Sequence, residues 1–316
     1  MTRRHNHLRD HRRGGFTLIE IMIVIVIIAI LVSILLPTVQ SARTRARVVQ
    51  VKTDISSIEG GISRFRVDFQ IDPPSSLVIY ESAADWSANA TVPAVVKSRA
   101  LIRQLWPQFD FSINRDINFN GSAEDSFLLA GAECLVFFLG GVPRLNDENG
   151  NNVRDPGETL TLSGFSKNPL NPFAVGGNRQ GPFYEFLPAR LLESPSNLGF
   201  FTYKDPLPNQ RAPYTYLSSY GGTGYRLADL GTGGLSYWYI QGTNYKSTAW
   251  NATKYQIISP GSDGQYGAGG PYLTSTNSSS DPLPGWDLNG QTITTAQREA
   301  ELDNITNFSS GRLSDK

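Results

Sequence analysis

The side chains in this chain best suited to chemistry are oxygen donors spaced two residues apart. In Asp147-Glu-Asn-Gly-Asn-Asn-Val-Arg-Asp-Pro-Gly-Glu158, Asp147, Asn149 and Asn151 hold positions one, three and five. The Val153 carbonyl falls at seven and Asp155 at nine, and Glu158 at twelve can chelate with both oxygens. Hard oxygen donors in one tight loop suit Ca²⁺. A second stretch, Asp116-Ile-Asn-Phe-Asn-Gly-Ser-Ala-Glu-Asp125, begins the same way. Asp116, Asn118, Asn120 and Glu124 sit at one, three, five and nine, and Gly121 suits the sharp turn. Its twelfth residue is Phe127, so the bidentate ligand is missing and Asp125 is the substitute at hand.

The first stretch fits the twelve-residue EF-hand loop at its ligand positions. It departs at position six, where Asn152 replaces glycine, although asparagine tolerates a left-handed turn. Arg154 stands where an apolar residue is usual, and no helix pair flanks the loop. The expectation is an isolated calcium loop, set against a plain solvated Asn/Asp/Gly turn. With no disulfide to staple a loop-rich fold, a bound cation would act structurally, stabilising the folded state by mass action.

Other chemistry is poorly provided for. The three histidines, His5, His7 and His11, all lie in the first 15 residues. The remainder can build neither a Ser-His-Asp triad nor a histidine zinc site. A carboxylate-only hydrolase such as a glycosidase needs no histidine; exposed aromatic rings around an acidic cleft would be its sign. The single cysteine, Cys134, rules out an intramolecular disulfide and reads as a small core residue. The chain is neutral overall, with 28 basic and 28 acidic residues. Arg3, Arg4, Arg9, Arg12 and Arg13 face only Asp10 before residue 16, so the part beyond is acidic and a nucleic-acid partner is not expected.

The N-terminal junction, Gly14-Gly-Phe-Thr-Leu-Ile-Glu20, runs into apolar residues as far as Leu36, and Pro37 closes the run. The 21 residues Phe16–Leu36 make about 30 Å of helix, enough to cross a bilayer. A secretory signal would place its small-residue cleavage site after the run, not before it. This junction resembles the type IV pilin and pseudopilin signature. The resemblance implies a leader, 1–15, cut after Gly15 by a prepilin peptidase, N-methylation of the new N-terminus Phe16, and assembly with its own kind or with other pseudopilins through residues 16–37. Glu20, fifth in the processed chain, would meet a neighbour's terminal amine, since opposite charges in low dielectric attract strongly and neither is then alone in lipid. The arginine-rich leader places the N-terminus in the cytoplasm by the positive-inside rule, with the C-terminal bulk exported to the periplasm or beyond a single-pass inner-membrane anchor.

Past Pro37, Val48, Val51, Ile55, Ile58, Ile62, Phe65 and Phe69 recur at spacings of three and four, which predicts that the helix continues, amphipathic, across 38–74 to a stop at Asp72-Pro73-Pro74. Gly60-Gly61 is a candidate bend. Further expectations are a helix over Pro93–Trp106 and a buried helix over Ser126–Leu139, capped by Ser126 and ended by Gly140-Gly141. Strands are expected at Tyr214–Leu217, Ser236–Ile240 and Lys254–Ile258, and a loop at 275–282. A short helix over Ala296–Leu302 then opens a fraying tail, 295–316.

The helix ending at Ile62–Phe69 and the segment Ile257-Ile-Ser-Pro-Gly-Ser-Asp-Gly264 are similar to the major pseudopilin of type II secretion. There a Gly-Asp-Gly loop binds calcium, which makes Asp263 a third candidate ligand. The resemblance implies an α+β, pilin-like fold: a long N-terminal helix on a small antiparallel sheet, with loop-rich insertions across an exported domain, 75–294. The function it implies is a non-enzymatic filament subunit working with an inner-membrane secretion platform. A surface-pilus pilin, for adhesion, motility or DNA uptake, and a tethered binding domain using the same export route are the competing readings. Missing cysteines favour the first, because many pilins staple a C-terminal loop with a disulfide.

Overall fold

The computed structural model describes residues 18–231, 235–242, 247–273, 283 and 292–315. The leader 1–15 with Gly15, together with Phe16, lies outside the described residues, as does the loop expected at 275–282. The chain divides into two compact units, Met1–Arg47 and Val48–Lys316, and helix α1, Leu18–Phe69, contributes to both.

In the first unit α1 presents its apolar side chains outward: every leucine, isoleucine and valine from Leu18 to Leu36 is exposed. The helix passes through Pro37 unbroken in assignment. Ser33 and Thr38 turn their hydroxyls back onto the carbonyls of Ile30 and Ile34, so no polar group is added to the surface here. By length and composition this helix is able to span a membrane.

In the second unit the same helix buries one face. Val51, Ile55, Ile58, Gly61, Ile62, Phe65 and Phe69 are buried, the spacing of three and four expected of a core-facing stripe. Behind it come β1 (Ser76–Tyr80), α2 (Ala83–Ala88), α3 (Pro93–Leu105), β2 (Ser126–Ala130), α4 (Ala132–Gly140), β3 (Pro143–Leu145) and β4 (Leu160–Leu162). Then follow β5 (Phe165–Ser166), β6 (Arg179–Gln180), β7 (Leu191–Glu193), β8 (Phe201–Tyr203), β9 (Thr215–Ser218), β10 (Tyr239–Ile240), β11 (Tyr255–Ser259), β12 (Gly270–Pro271), α5 (Thr295–Glu301) and β13 (Ile305–Thr306). The mixture is α+β. Among the described residues the strands form small sheets, not one large one: β1-β2, β3-β4, β5-β6, β7-β8 and β9-β11-β13 are antiparallel, and β10-β12 is parallel.

Such short sheets cannot each build a core, and aromatic rings join them to α1. Phe65 stands edge-on to Phe138 and Phe183, at 5.7 and 5.4 Å between centroids, and Phe69 does the same to Trp106 and Phe165. Polar anchors flank this stripe. Asp54 of α1 takes a forked pair from Arg190 and the hydroxyls of Tyr184 and Tyr214. Lys52 donates to the carbonyls of Thr306 and Ser309.

Two expectations need correction. Ser126–Leu139 is not one helix. Its first five residues form β2, alternating exposed and buried against β1, and the helix begins only at Ala132. Gly131 makes the break at φ +43°, where a Cβ would lie 3.0 Å from the Asp229 carbonyl oxygen. Ser126 therefore caps nothing, whereas Gly141 does end the helix. The tail does not fray either: α5 starts with a Thr294–Gln297 capping box, β13 pairs with β11, and Leu313 is fully buried. Cys134 is a core side chain, as expected.

Gly61 permits close approach, since a Cβ there would meet the Tyr184 Cβ at 2.9 Å, while a Cβ on Gly60 would meet nothing within 4 Å. Replacing Gly61 by Val should therefore destabilise the domain by about 1–3 kcal/mol through overpacking. Gly60→Ala, in the same helix, should be neutral or stabilising by up to about 1 kcal/mol. Denaturant unfolding of the two variants checks this, and equal effects would refute it.

Candidate functional site

The loop 146–159 is the tip of the β3-β4 hairpin, closed by the Asn146 amide on the Thr159 carbonyl. Hydrogen bonds link its six candidate ligand residues. The Asp147 carboxylate receives the backbone amides of Gly150 at 2.6 Å and Asn152 at 2.8 Å, and these amides, Asn152's foremost, hold it below the usual carboxylate range. Asn149 and Asn151 accept from the amides of Asn151 and Val153, and each donates its own side-chain NH₂ to Asp155 Oδ2. Glu158 closes the ring with both oxygens: Oε1 accepts from the Glu148 amide and Oε2 from the Asp155 amide, at 2.9 and 3.0 Å.

The segment starting at Asp116 is built the same way. Asp116 receives the amides of Phe119 and Gly121, and Asn118 and Asn120 accept from the amides two residues on. Both asparagines donate their NH₂ groups to Asp125 Oδ2, at 3.2 and 2.5 Å. Asp125, one residue later than the ninth position, thus plays the part of Asp155, and Glu124 is exposed. Both loops take positive φ at their fourth and sixth residues: Gly150 at 78° and Asn152 at 57°, Phe119 at 63° and Gly121 at 82°.

The part played by Glu158 falls here to a residue that sequence spacing did not single out. Glu81 Oε1 accepts from the Ile117 amide at 2.5 Å and Oε2 from the Asp125 amide at 3.3 Å. These are amides of the second residue and of the aspartate that gathers the asparagines, as in the first loop. Glu81 follows β1 and Asp125 precedes β2, and the register Tyr80↔Ser126 sets them opposite each other. No motif carries that signal, because it exists only once β1 pairs with β2. Glu81 is fully buried.

The loops also touch. The Arg154 amide donates to the Phe119 carbonyl at 2.7 Å, and a Val153 methyl carbon stands 3.4 Å from where a Cβ on Gly121 would be. Arg154 forks onto Glu193, which also accepts the Gly199 amide, and a Cβ on Gly199 would lie 2.6 Å from Asn118 Cβ. The expected isolated loop is one of a packed pair.

Around Asp263 the structure adds a second carboxylate. Asp303 Oδ2 accepts the amides of Ser262 and Asp263, while the buried Oδ1 has no hydrogen-bond partner. Burial, helped by nearby Asp303, raises the Asp263 carboxyl above its ordinary value. Among the described residues, no three His, Cys, Asp or Glu side chains gather as a ready metal site, and in each loop the asparagine NH₂ groups are turned onto one aspartate, Asp155 or Asp125. Among the described residues, the cleft lined by Tyr225, Tyr237 and Trp238 has no carboxylate in its lining.

The remaining site is the N-terminal helix, whose exposed apolar length starts beside Glu20. Residues 10–36 match the prokaryotic N-terminal methylation motif. This is a type IV pilin-like prepilin signal, which implies processing by a prepilin peptidase and assembly into pilin-like polymers. With the apolar helix it marks a membrane anchor. No curated protein and no solved structure matches the chain.

Burial pushes the Glu81 carboxyl up to about 7, against the pull of the Ile117 and Asp125 amides. The unfolded value is near 4.3. Between these values the folded chain holds a proton that the unfolded chain has released, so stability falls as pH rises through this window. With chelator present, the denaturation midpoint of the native protein should fall more steeply from about pH 5 to 7 than that of Glu81→Gln. Parallel profiles would refute it.

Proposed function

We propose that this chain is a pseudopilin: a non-enzymatic subunit of a type II secretion-type filament at the inner membrane. The junction Gly14-Gly15-Phe16 to Glu20, continuous with an exposed apolar helix, carries the reading. Cleavage after Gly15 frees a cationic amine on Phe16. In a bundle of such helices the Glu20 carboxylate of one subunit pairs with that amine on the next and sets their axial register. The arginine-rich leader holds the N-terminus in the cytoplasm, and the domain from Val48 onward is exported. The lone buried Cys134 and the Gly261–Gly264 loop favour secretion over a surface pilus.

Ca²⁺ serves this fold as a structural cofactor. The ligands that residue spacing offers in the two packed loops are all oxygens. Asp147, Asn149, Asn151, the Val153 carbonyl, Asp155 and Glu158 would hold one ion, and Asp116, Asn118, Asn120, Asp125 and Glu81 a second. Asp263 with Asp303 would hold a third, at the orphaned Asp303 oxygen. The ion would supply charge that neutralises grouped carboxylates and would stabilise the folded state by mass action, growing with the logarithm of free Ca²⁺ above its dissociation constant.

The mature protein should begin at N-methylated Phe16 by intact mass. Glu20→Gln should still insert in the membrane yet form no filaments and support no protein secretion. Normal filament formation by that variant would overturn the register argument, and loss of surface pili with secretion intact would favour the pilus reading. Calcium chloride added to the chelated protein should raise its thermal midpoint, and an unchanged midpoint would remove the cofactor.

A further inference from the structure

We propose that α1 carries, just beyond its apolar run, a collar that binds the headgroups of anionic phospholipids, made by Arg43, Arg45 and Arg47 together with the Ser41 hydroxyl. The proposal rests on the membrane anchor alone and uses neither the filament nor the calcium loops. Its first support is unbalanced charge. Between Glu20 and Asp54 the sequence holds no acid, and its four bases are these three arginines and Lys52. Lys52 is committed to the carbonyls of Thr306 and Ser309, and Asp54 to Arg190, Tyr184 and Tyr214. All three arginines are exposed, and among the described residues none of them joins an ion pair.

Height along the helix is the second support. Leu36 ends the apolar run, and Arg43, Arg45 and Arg47 start about 10 to 17 Å beyond it along an unbroken helix. Helical side chains lean towards the helix N-terminus, here towards the bilayer, and arginine stems snorkel to place their charge. The headgroup layer on each side of the hydrocarbon is about 5–8 Å thick, so the guanidinium groups lean down onto its phosphates.

Direction is the third. Arg43 and Arg47 are four residues apart and share a face, while Arg45 points about 160° away from Arg43. A single partner helix could meet one of these faces and not the other, whereas a headgroup layer surrounds the helix. On the Arg45 side, Pro37, Thr38, Ser41, Ala42 and Arg45 line a shallow notch, and the small Ser41 and Ala42 leave room beside the guanidinium. Thr38 and Thr44 turn their hydroxyls back onto the carbonyls of Ile34 and Gln40, which Ser41 does not do among the described residues. Its hydroxyl is left to donate to a phosphate oxygen that the planar fork of Arg45 grips. Such a collar fixes the depth of α1 in the bilayer and selects anionic lipid around it.

Native mass spectrometry of the full chain in detergent micelles, titrated with phosphatidylglycerol or phosphatidylcholine, tests this. Arg3, Arg4, Arg9, Arg12 and Arg13 are each replaced by Gln in every sample, so that the leader adds no charge. The parent should bind phosphatidylglycerol at least about 10-fold more tightly than phosphatidylcholine. Arg43→Gln, Arg45→Gln and Arg47→Gln should each lower that preference by up to about 5-fold, and together should bring it to within about twofold of parity. The triple replacement by Lys should keep most of it, and inorganic phosphate should not displace the lipid. A parent without preference, or a triple Gln variant that keeps it, would overturn the collar and leave the anchor standing. Displacement by phosphate alone would assign the arginines to a free anion. Self-association that needs them at constant lipid would assign them to a second copy of the chain, and either result would overturn the lipid proposal. A chain that fails to enter lipid vesicles at all would overturn the anchor and the inference with it.

Discussion

The domain from Val48 onward depends on one constraint: its sheets are too small to have cores of their own, so they borrow one from the buried face of α1. Strands of two to five residues bury little by themselves. Phe65 and Phe69 supply the shared surface, touching rings from α4, from the end of α3, from β5 and from the 183–184 turn. The apolar stripe admits no charge, and the charges beside it are paired at its margin. Asp54 is held by Arg190 and two tyrosines, and Glu59 by Asn307. Removing one partner of such a half-buried pair strands the other, which is the expensive way to break it.

The two oxygen-lined loops show one chemical arrangement reached by two topologies. In the first, a hairpin supplies everything, and the glutamate is the last residue of a continuous motif. In the second, the motif stops short and sheet pairing delivers the glutamate from a strand far back in the chain. Both loops turn left-handed at their fourth and sixth residues, although the glycine sits fourth in one loop and sixth in the other. That leaves Asn152 and Phe119 in the left-handed region. An asparagine bears this readily, whereas a phenylalanine does so only because the surrounding contacts over-determine it.

What could be read from the residues was what is local and periodic. The stripe from Val51 to Phe69, the helix over Pro93–Leu105 and the strands near 215, 239 and 255 all announce themselves by spacing or by β-branched and aromatic content. Ser126–Leu139 misled because a continuous apolar run does not distinguish strand from helix; the alternation of β2 was hidden by Leu128, an exposed leucine. The tail was misjudged because its polar composition conceals a capping box and a strand pairing, which bury it regardless. Of the loops, the spaced Asp and Asn residues were legible. Glu81 and Asp303 were not, since each reaches its loop only through tertiary pairing.

The Lys52 ammonium group binds carbonyls of Thr306 and Ser309, more than 250 residues later in the chain. Lys52 is among the first residues of the domain to be made, and its partners are among the last. Contacts of such long range are closed late and slowly. Until residues 305–313 have arrived, these two carbonyls are missing, β11 lacks one neighbour and the Leu313 pocket is unfilled. The domain therefore cannot finish folding while residues 305–313 are still inside the ribosome. A chain cut before Ile305 would keep its anchoring helix and lose the strand neighbour, the lysine's partners and the core leucine all at once.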